Sequence, residues 1–318
     1  MPLWPTSAAG SCRMTPAPPD HDGTVSWRQL QAEATRLLGA REANAHGARP
    51  EVEARWIVEE ASGFEGADYA LGLDRPATVR GVAAFDRLLA RRLGGEPLQY
   101  VLGRWGFRTL DLMVDRRVLI PRPETEQVVE VALAELDRLG EHRGDTPLVV
   151  VDLGTGSGAI GLSIAAERSR ATVWATDVSG DALAVAGANL TGLGRAATRV
   201  RLAEGSWFDA LPASVVGTVD LIISNPPYVA PTDPLPPEVA DWEPVGALIP
   251  GPTGLEALLA LVAGAPDWLR RPGVLVVELA PHQAEEIAAA ARRAGFDDTR
   301  VAPDLAGLDR AVVARIGG

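Results

Sequence analysis

Lysine is missing from this 318-residue chain: all 30 of its basic residues are arginine. Together with 33 glycines, 25 prolines and abundant alanine, that reads as the coding bias of a GC-rich genome. The single cysteine, Cys12, excludes an internal disulfide framework and any cysteine-cluster metal site. Four scattered histidines suggest neither a zinc site nor a Ser-His-Asp arrangement, and no metal is expected. His282 is read as a surface or rim histidine. No run of about 18 apolar residues occurs, so no membrane-spanning helix is expected. The longest apolar helix candidate, Leu255 to Val262, is too short to span. Residues 1–24 are rich in Pro, Ser, Ala and Gly and contain no apolar segment of signal-peptide length. They read as a disordered extension, with Met14 as an alternative start. A cytoplasmic location is expected.

Net charge is −12, which argues against direct binding to nucleic-acid phosphates. The charge is uneven. Arg87, Arg91, Arg92, Arg104, Arg108, Arg116, Arg117 and Arg122 face only Glu96, Asp111 and Asp115, a local excess of five positive charges. Two readings stand: a solvated face, or a docking patch for an acidic protein partner.

Apolar residues make up 47% of the chain, ample for a core, and the length allows two domains. Ser26 to Leu38 reads as a helix opened by a Ser26/Gln29 capping box. Pro50 to Ser62 reads as a second, stopped at Gly63, and Thr78 to Leu93 as a third. Leu30, Leu37, Leu38, Trp56, Ile57, Val82, Phe85, Leu88 and Leu89 give these helices apolar faces, so residues 25–95 form a small helical domain. Gln99 to Leu102 and Phe107 to Val114 suggest a β-hairpin turning at Gly103-Arg104-Trp105-Gly106, within a linker spanning 96–122. Pro121-Arg122-Pro123 ends it and opens a helix from Glu124 to Leu139. From there strand and helix alternate: strands at 148–153, 171–177, 198–203, 219–224 and 273–279, helices at 157–168, 180–192, 253–269 and 282–294. A closing strand pair follows at 299–303 and 309–316. Such alternation means a mostly parallel sheet covered on both faces, with ligands held outside the carboxyl ends of the strands.

Three motifs fall at such strand ends. Leu148 to Leu153 runs into Gly154-Thr155-Gly156-Ser157-Gly158 and then a helix, the opening unit of a nucleotide-binding sheet. The alternating glycines are not the G-x-G-x-x-G dinucleotide fingerprint, and no Gly-Lys-Ser/Thr follows, so a P-loop is also excluded. Asp152, within the strand, is placed to orient the turn. The next strand ends at Asp177, about 25 residues on, where an acid either accepts both hydroxyls of a ribose or caps the helix near Ser179. The strand 219–224 ends in Asn225-Pro226-Pro227-Tyr228. There the Asn side-chain oxygen and the Pro226 carbonyl present two acceptors, suited to a planar NH₂ group, with Tyr228 as a flat wall. The alternative is a Pro-rich turn.

In this order the motifs resemble the S-adenosylmethionine-dependent methyltransferases that modify amino groups. Pro121-Arg122-Pro123-Glu124-Thr125-Glu126, with Gln99-Tyr100 and Val118-Leu119-Ile120 before it, narrows the resemblance to the release factor glutamine methyltransferases. The related ribosomal-protein enzymes carry Pro-Arg-Ser-Pro there instead. The likeness spans roughly residues 26 to 316 and includes Trp242-Glu243-Pro244, Ala247-Leu248, Gly251 and Gly254-Leu255. One departure is Ala280, where the family's Glu-x-Gly-x-x-Gln has glycine; it reads as a packing change.

The resemblance implies an α/β, Rossmann-like class I methyltransferase sheet at 123–318, with the N-terminal helical domain docking the substrate. It implies S-adenosylmethionine as cofactor, held by Gly154, Thr155, Gly156, Ser157 and Gly158 beside its methionine part and ribose, by Asp177 at the ribose and by Trp207 beside adenine, with Asn225 at the reacting end. Asn225, Pro226 and Tyr228 would be catalytic and, with Pro227, would grip the substrate amide. The implied substrate is the glutamine of the Gly-Gly-Gln motif in peptide chain release factors. A ribosomal-protein glutamine or an adenine in nucleic acid remains the alternative, since each offers a planar NH₂.

Overall fold

The fold is that of a computed structural model, which describes residues 24–42, 49–141 and 143–317. The expected N-terminal extension, Thr24 apart, lies outside them. The chain divides into two compact units between Leu102 and Gly103. Among the described residues no helix is long and apolar enough to cross a membrane.

The first unit is helical: α1 (Trp27–Glu42), α2 (Pro50–Ser62), α3 (Gly66–Gly72), α4 (Val79–Leu93) and α5 (Leu98–Leu102). The capping box is present: the Ser26 amide donates to Gln29 Oε1 at 2.8 Å and the Gln29 amide to Ser26 Oγ at 3.3 Å. Thr78 caps α4 by accepting from the Gly81 amide, and Gly63 closes α2 at φ 72°. Trp27, Leu38, Ile57, Phe85 and Leu89 meet in one buried cluster. At roughly 1.5–3 kcal/mol for each large apolar side chain buried, this cluster holds the unit together.

One expectation fails here. Residues 99–102 are not a strand; they belong to α5, whose Tyr100 and Val101 amides both donate to the Pro97 carbonyl. A five-residue apolar stretch is too short to display a period, so strand and helix look alike in it. The hairpin begins later, with β1 (Arg104–Phe107) and β2 (Leu110–Met113), and turns at Arg108-Thr109, since Phe107 pairs with Leu110. Arg108 sits at φ 52°, a conformation usually left to glycine. Its guanidinium explains the choice. It donates to both oxygens of Glu167 at 2.6 and 2.8 Å, to Glu130 at 2.8 Å and to the Glu126 carbonyl at 3.0 Å.

The arginine-rich segment is partly solvated, with Arg87, Arg91, Arg104 and Arg116 exposed, and partly tied into the fold. In the first unit Arg92 forms a buried pair with Glu53 and Arg91 binds Glu96. In the second, Arg108 is tied down as described, Arg117 pairs with Asp115, Arg122 with the buried Glu243, and Arg104 with Asp111. Arg116 lies over the Trp242 ring, 4.0 Å from its centre. Arg92, Arg108 and Arg122 are structural clamps, because each finds its acid in a distant part of its own unit.

The second unit continues with α6 (Pro123–Glu141), β3 (Leu148–Leu153), α7 (Ala159–Glu167), β4 (Ala171–Asp177), α8 (Gly180–Thr191), β5 (Val200–Glu204), β6 (Val219–Ser224), α9 (Pro237–Ala240), α10 (Glu256–Trp268), β7 (Leu269–Glu278), α11 (Ala284–Arg293), β8 (Asp298–Pro303) and β9 (Asp309–Ile316). The seven-stranded sheet runs β5-β4-β3-β6-β7-β9-β8. Its first five strands are parallel; β9 runs antiparallel to β7, and β8 antiparallel to β9. Its buried strands read as continuous apolar runs because both faces are covered. One face packs against α6 and α7 through Val129, Leu133, Leu162 and Ile164; the other packs against α10 and α11 through Leu258, Leu261 and Ile287. The chain moves outward from β3 to β4 and β5, then returns to lay β6 on the other side of β3. The topological switch point therefore lies between β3 and β6, where such sheets open a crevice at the strand ends.

Candidate active site

A cavity of about 360 Å³ opens at that crevice. Gly154 to Ser157, Asp177, Trp207, Asn225 and Pro227 are all on its wall. The sequence therefore placed most of its candidates around one space. Three of them stand back from it. Gly158 starts α7 at φ 87°, and a Cβ there would fall 2.8 Å from Leu162, so this glycine serves close packing. Pro226 is buried, and Tyr228 packs against the α10–α11 side of the core.

The glycine turn is shaped by two carboxylates. Asp152, fully buried in β3, accepts from Thr155 Oγ1 at 2.6 Å and from the Gly161 amide at 2.9 Å, both through Oδ2. Burial pushes its pKa up to about 7, against the pull of those two hydrogen bonds. Asp177, at the end of β4, accepts from the Gly156 amide through Oδ2 and from the Ser179 amide through Oδ1, each at 2.9 Å. It does not cap α8; Ser179 does, accepting from Ala182. Each Asp177 oxygen still has a lone pair for another donor. Gly154 and Gly156, at φ 74° and 56°, let the backbone itself form the wall. A Cβ on Gly154 would lie 3.5 Å from the Trp207 ring, so the indole is laid against the turn. Trp207 is at φ 45°, an outlier for a bulky residue and the kind of local strain found at ligand sites. Asn189 braces the turn from α8, donating to the Ser157 carbonyl at 2.8 Å and bonding Met113 on β2 in both directions.

On the other side of the crevice stands Asn225, one residue beyond β6. Its Nδ2 donates to Thr125 Oγ1 at 3.2 Å, which leaves Oδ1 as the remaining acceptor. Behind it lies Glu278, the last residue of β7 and 1% exposed. Its Oε1 accepts from the Tyr228 hydroxyl at 3.3 Å. Burial pushes Glu278 up to about 7, more than Thr125, Arg310 and Tyr228 pull it down. The same burial pushes the Tyr228 hydroxyl up. Gln283 fixes the backbone nearby, donating to the carbonyls of Tyr228 at 2.9 Å and Gly254 at 3.2 Å.

Thr125 and Glu278 had no assigned role in the sequence reading. Thr125 stands inside the Pro121–Glu126 hexapeptide, there treated only as part of a motif. Glu278 carries a detectable signal: a carboxylate closing an otherwise apolar strand needs partners. Glu243 is the other buried acid of this region. It holds Arg122 and accepts from the Ile120 amide at 3.3 Å, which ties the Trp242-Glu243-Pro244 loop to the residues before the hexapeptide.

Residues 29–103 match the family described as PrmC N-terminal domain, and residues 136–235 match the methyltransferase small domain. A release factor glutamine methyltransferase of Xylella fastidiosa (strain 9a5c) is 44% identical over 246 residues, 77% of this chain and 86% of that protein. One of Cereibacter sphaeroides is 40% identical over 291 residues, 90% of this chain and 98% of that protein. The chain belongs to the release factor glutamine methyltransferase family.

Membership makes it an enzyme of methyl transfer and its sheet a Rossmann-like methyltransferase sheet. The catalytic domain of hMettl16, 17% identical, matches 73% of this chain and 82% of its own with a TM-score of 0.52, which bears on the fold alone. Ala280, the departure from the family's glycine, keeps the local geometry: its amide donates to Gln283 Oε1 at 3.0 Å.

Proposed function

We propose that the chain transfers a methyl group from S-adenosylmethionine to the side-chain amide nitrogen of the glutamine in the Gly-Gly-Gln motif of peptide chain release factors. The observation that carries this is the placement of Asn225. Its amide nitrogen donates to Thr125, leaving its oxygen as an acceptor, and the residue lies on the wall of the cavity that the glycine turn, Asp177 and Trp207 also line.

The wall suits this cofactor. Backbone at Gly154 to Ser157 permits close approach by the amino-acid part and ribose. Asp177 keeps acceptor capacity for the two ribose hydroxyls, and the Trp207 indole offers a flat face for a purine. When bound, S-adenosylmethionine supplies an electrophilic methyl on a positively charged sulfur.

The protein's task follows from the weakness of the nucleophile. An amide nitrogen has its lone pair delocalised into the carbonyl. Asn225 Oδ1 and the Pro226 carbonyl accept from the two N–H groups, raise electron density on nitrogen and stabilise the positive charge that grows there. Holding that nitrogen in line with the methyl supplies much of the rest, of order 7–11 kcal/mol in favourable cases. The alkylated nitrogen then gives up one N–H proton, which has become acidic, so no base is required beforehand. Pro227 shapes the pocket wall, and Tyr228 holds the turn from behind rather than facing the cavity.

A single side chain in a pocket buries little area, whereas specific protein interfaces usually bury more than about 1,200 Å². We assign the additional contacts with the release factor to the helical domain, residues 25–95. With peptide chain release factors as substrate, the reaction would take place in the cytoplasm.

Replacing Asn225 by Ala tests the assignment. Methyl transfer at saturating release factor should fall by at least about 100-fold, the scale of losing one preorganised hydrogen-bonding group. Affinity for S-adenosylmethionine, measured by calorimetry, should stay within a few-fold. Near-normal turnover would remove the acceptor role.

A further inference from the structure

We propose that residues 230–247 form a flap at the cavity, and that Glu243 is the positioning residue that latches this flap shut over bound S-adenosylmethionine. This rests on the reading of that cavity as the cofactor site.

The chain leaves the Asn-Pro-Pro-Tyr turn at Val229 and comes back beside it at Leu248, where the Val229 amide donates to the Leu248 carbonyl at 2.9 Å. The base of this excursion is firmly held. Gln283 bonds the carbonyls of Tyr228 and Gly254, and Gly254 packs so close that a Cβ on it would fall 2.8 Å from the Tyr228 carbonyl oxygen. The excursion itself has no such anchor. Of residues 230–247, Glu243 is the only one buried; no residue of α9 is buried, and Val245 is exposed. A segment without a buried apolar side chain belongs to the low-stability end of a fold, from which lids are drawn.

What holds this segment is polar and comes from one place. Glu243 pairs with Arg122 and accepts from the Ile120 amide at 3.3 Å, and Arg116 lies over the Trp242 ring, 4.0 Å from its centre. All three partners fall within residues 116–122. That stretch and the returning limb of the excursion both line the cavity, through Val118, Leu119 and Pro121 on one and Pro244, Gly246 and Ala247 on the other. Glu243 therefore joins two parts of the cavity wall that are far apart in the chain.

The latch is of a kind that can open. Burial raises the pKa of Glu243 against the pull of Arg122 and the Ile120 amide, so desolvation opposes the pair. Arg122 is 32% exposed and keeps water when the pair parts. Closed, the flap completes the wall around the cofactor; open, it lets cofactor and spent cofactor exchange.

Glu243→Ala removes both of the carboxylate's contacts, and Glu243→Gln keeps its size and an acceptor for the Ile120 amide while losing the charge. Release of isotopically labelled S-adenosylmethionine is timed under an excess of unlabelled cofactor, hydrogen exchange over residues 230–248 is followed by mass spectrometry, and thermal midpoints are recorded. Glu243→Ala should release the cofactor at least about 10-fold faster, with its association rate within about threefold, since lost contacts act mainly on dissociation. Exchange at 238–247 should be faster in this variant, and bound cofactor should slow it in the wild type. Glu243→Gln and Arg122→Gln should each show part of the effect, and the two combined no more than the greater of them, as for one shared contact. Release within about twofold of wild type in Glu243→Ala overturns the proposal. So does faster release without faster exchange at 230–248, or a lowered thermal midpoint with neither change, which is what a merely structural role would give. If Glu243→Ala does not fold, Glu243→Gln decides by the same criteria. A wild-type protein that fails to bind S-adenosylmethionine would instead sink the cofactor reading, and the proposal with it.

Discussion

The Gly156 amide donates to Asp177 Oδ2 at 2.9 Å, joining the glycine turn after β3 to the end of β4. The acid expected to hold a ribose therefore also holds the turn beside it. Asp177→Ala should weaken S-adenosylmethionine binding by about 1–3 kcal/mol through the lost charge-assisted hydrogen bonds, and should loosen the turn as well. Asp177→Asn keeps an acceptor for one amide and should lose less. Calorimetry on both variants checks this; unchanged affinity in a folded Asp177→Ala protein would detach the residue from the cofactor.

Arg108 bonds Glu167, Glu130 and the Glu126 carbonyl from a left-handed backbone position. Arg108→Ala leaves two acids without their cation and should destabilise the protein by about 2–4 kcal/mol, as expected when one partner of a largely buried pair is removed. Urea unfolding measures it. A stable Arg108→Ala variant with a raised KM for release factor would favour the docking reading of this segment instead.

Glu278, buried behind the Asn225–Tyr228 turn, makes transfer depend on pH. Burial lifts Glu278 to about 7 against an ordinary 4.5, with Glu124 adding to the rise and Arg310, Thr125 and Tyr228 opposing it. Protonating Glu278 weakens its hold on the Tyr228 hydroxyl, the anchor behind the Asn225–Tyr228 turn. The rate at saturating substrate should therefore rise with pH through about 7 and level off above it. Asp152 sits near 7 as well, so the control is Glu278→Gln, which should flatten the rise if Glu278 is its source. A rise that persists unchanged in that variant would assign it elsewhere.

Much of this was legible in the sequence where local signals were strong. The strands at 148–153, 171–177 and 219–224 appear at those residues because each is a largely apolar run closed by a glycine or a polar residue. The α2 helix was legible from Pro50 and Gly63, and α1 from its capping box. Short elements were not. The seven residues of α3 begin and end on glycine, and the five of α5 resemble a strand. The hairpin turn was sought at glycines, whereas it falls on Arg108, whose conformation is set by acids on α6 and α7 far along the chain. The site was legible as motifs but not as contacts. Thr125 and Asn225 lie 100 residues apart and Tyr228 and Glu278 lie 50 apart, and no periodicity links side chains that meet only after the sheet is built.

The most direct test of the account locates the transferred methyl. Purified enzyme is incubated with isotopically labelled S-adenosylmethionine, with intact release factor and with DNA in parallel, and the products are mapped by tandem mass spectrometry. The account predicts one added methyl on the side-chain amide of the glutamine in the Gly-Gly-Gln motif, and none on DNA. Label on an adenine amino group, with release factor unmodified, would contradict it.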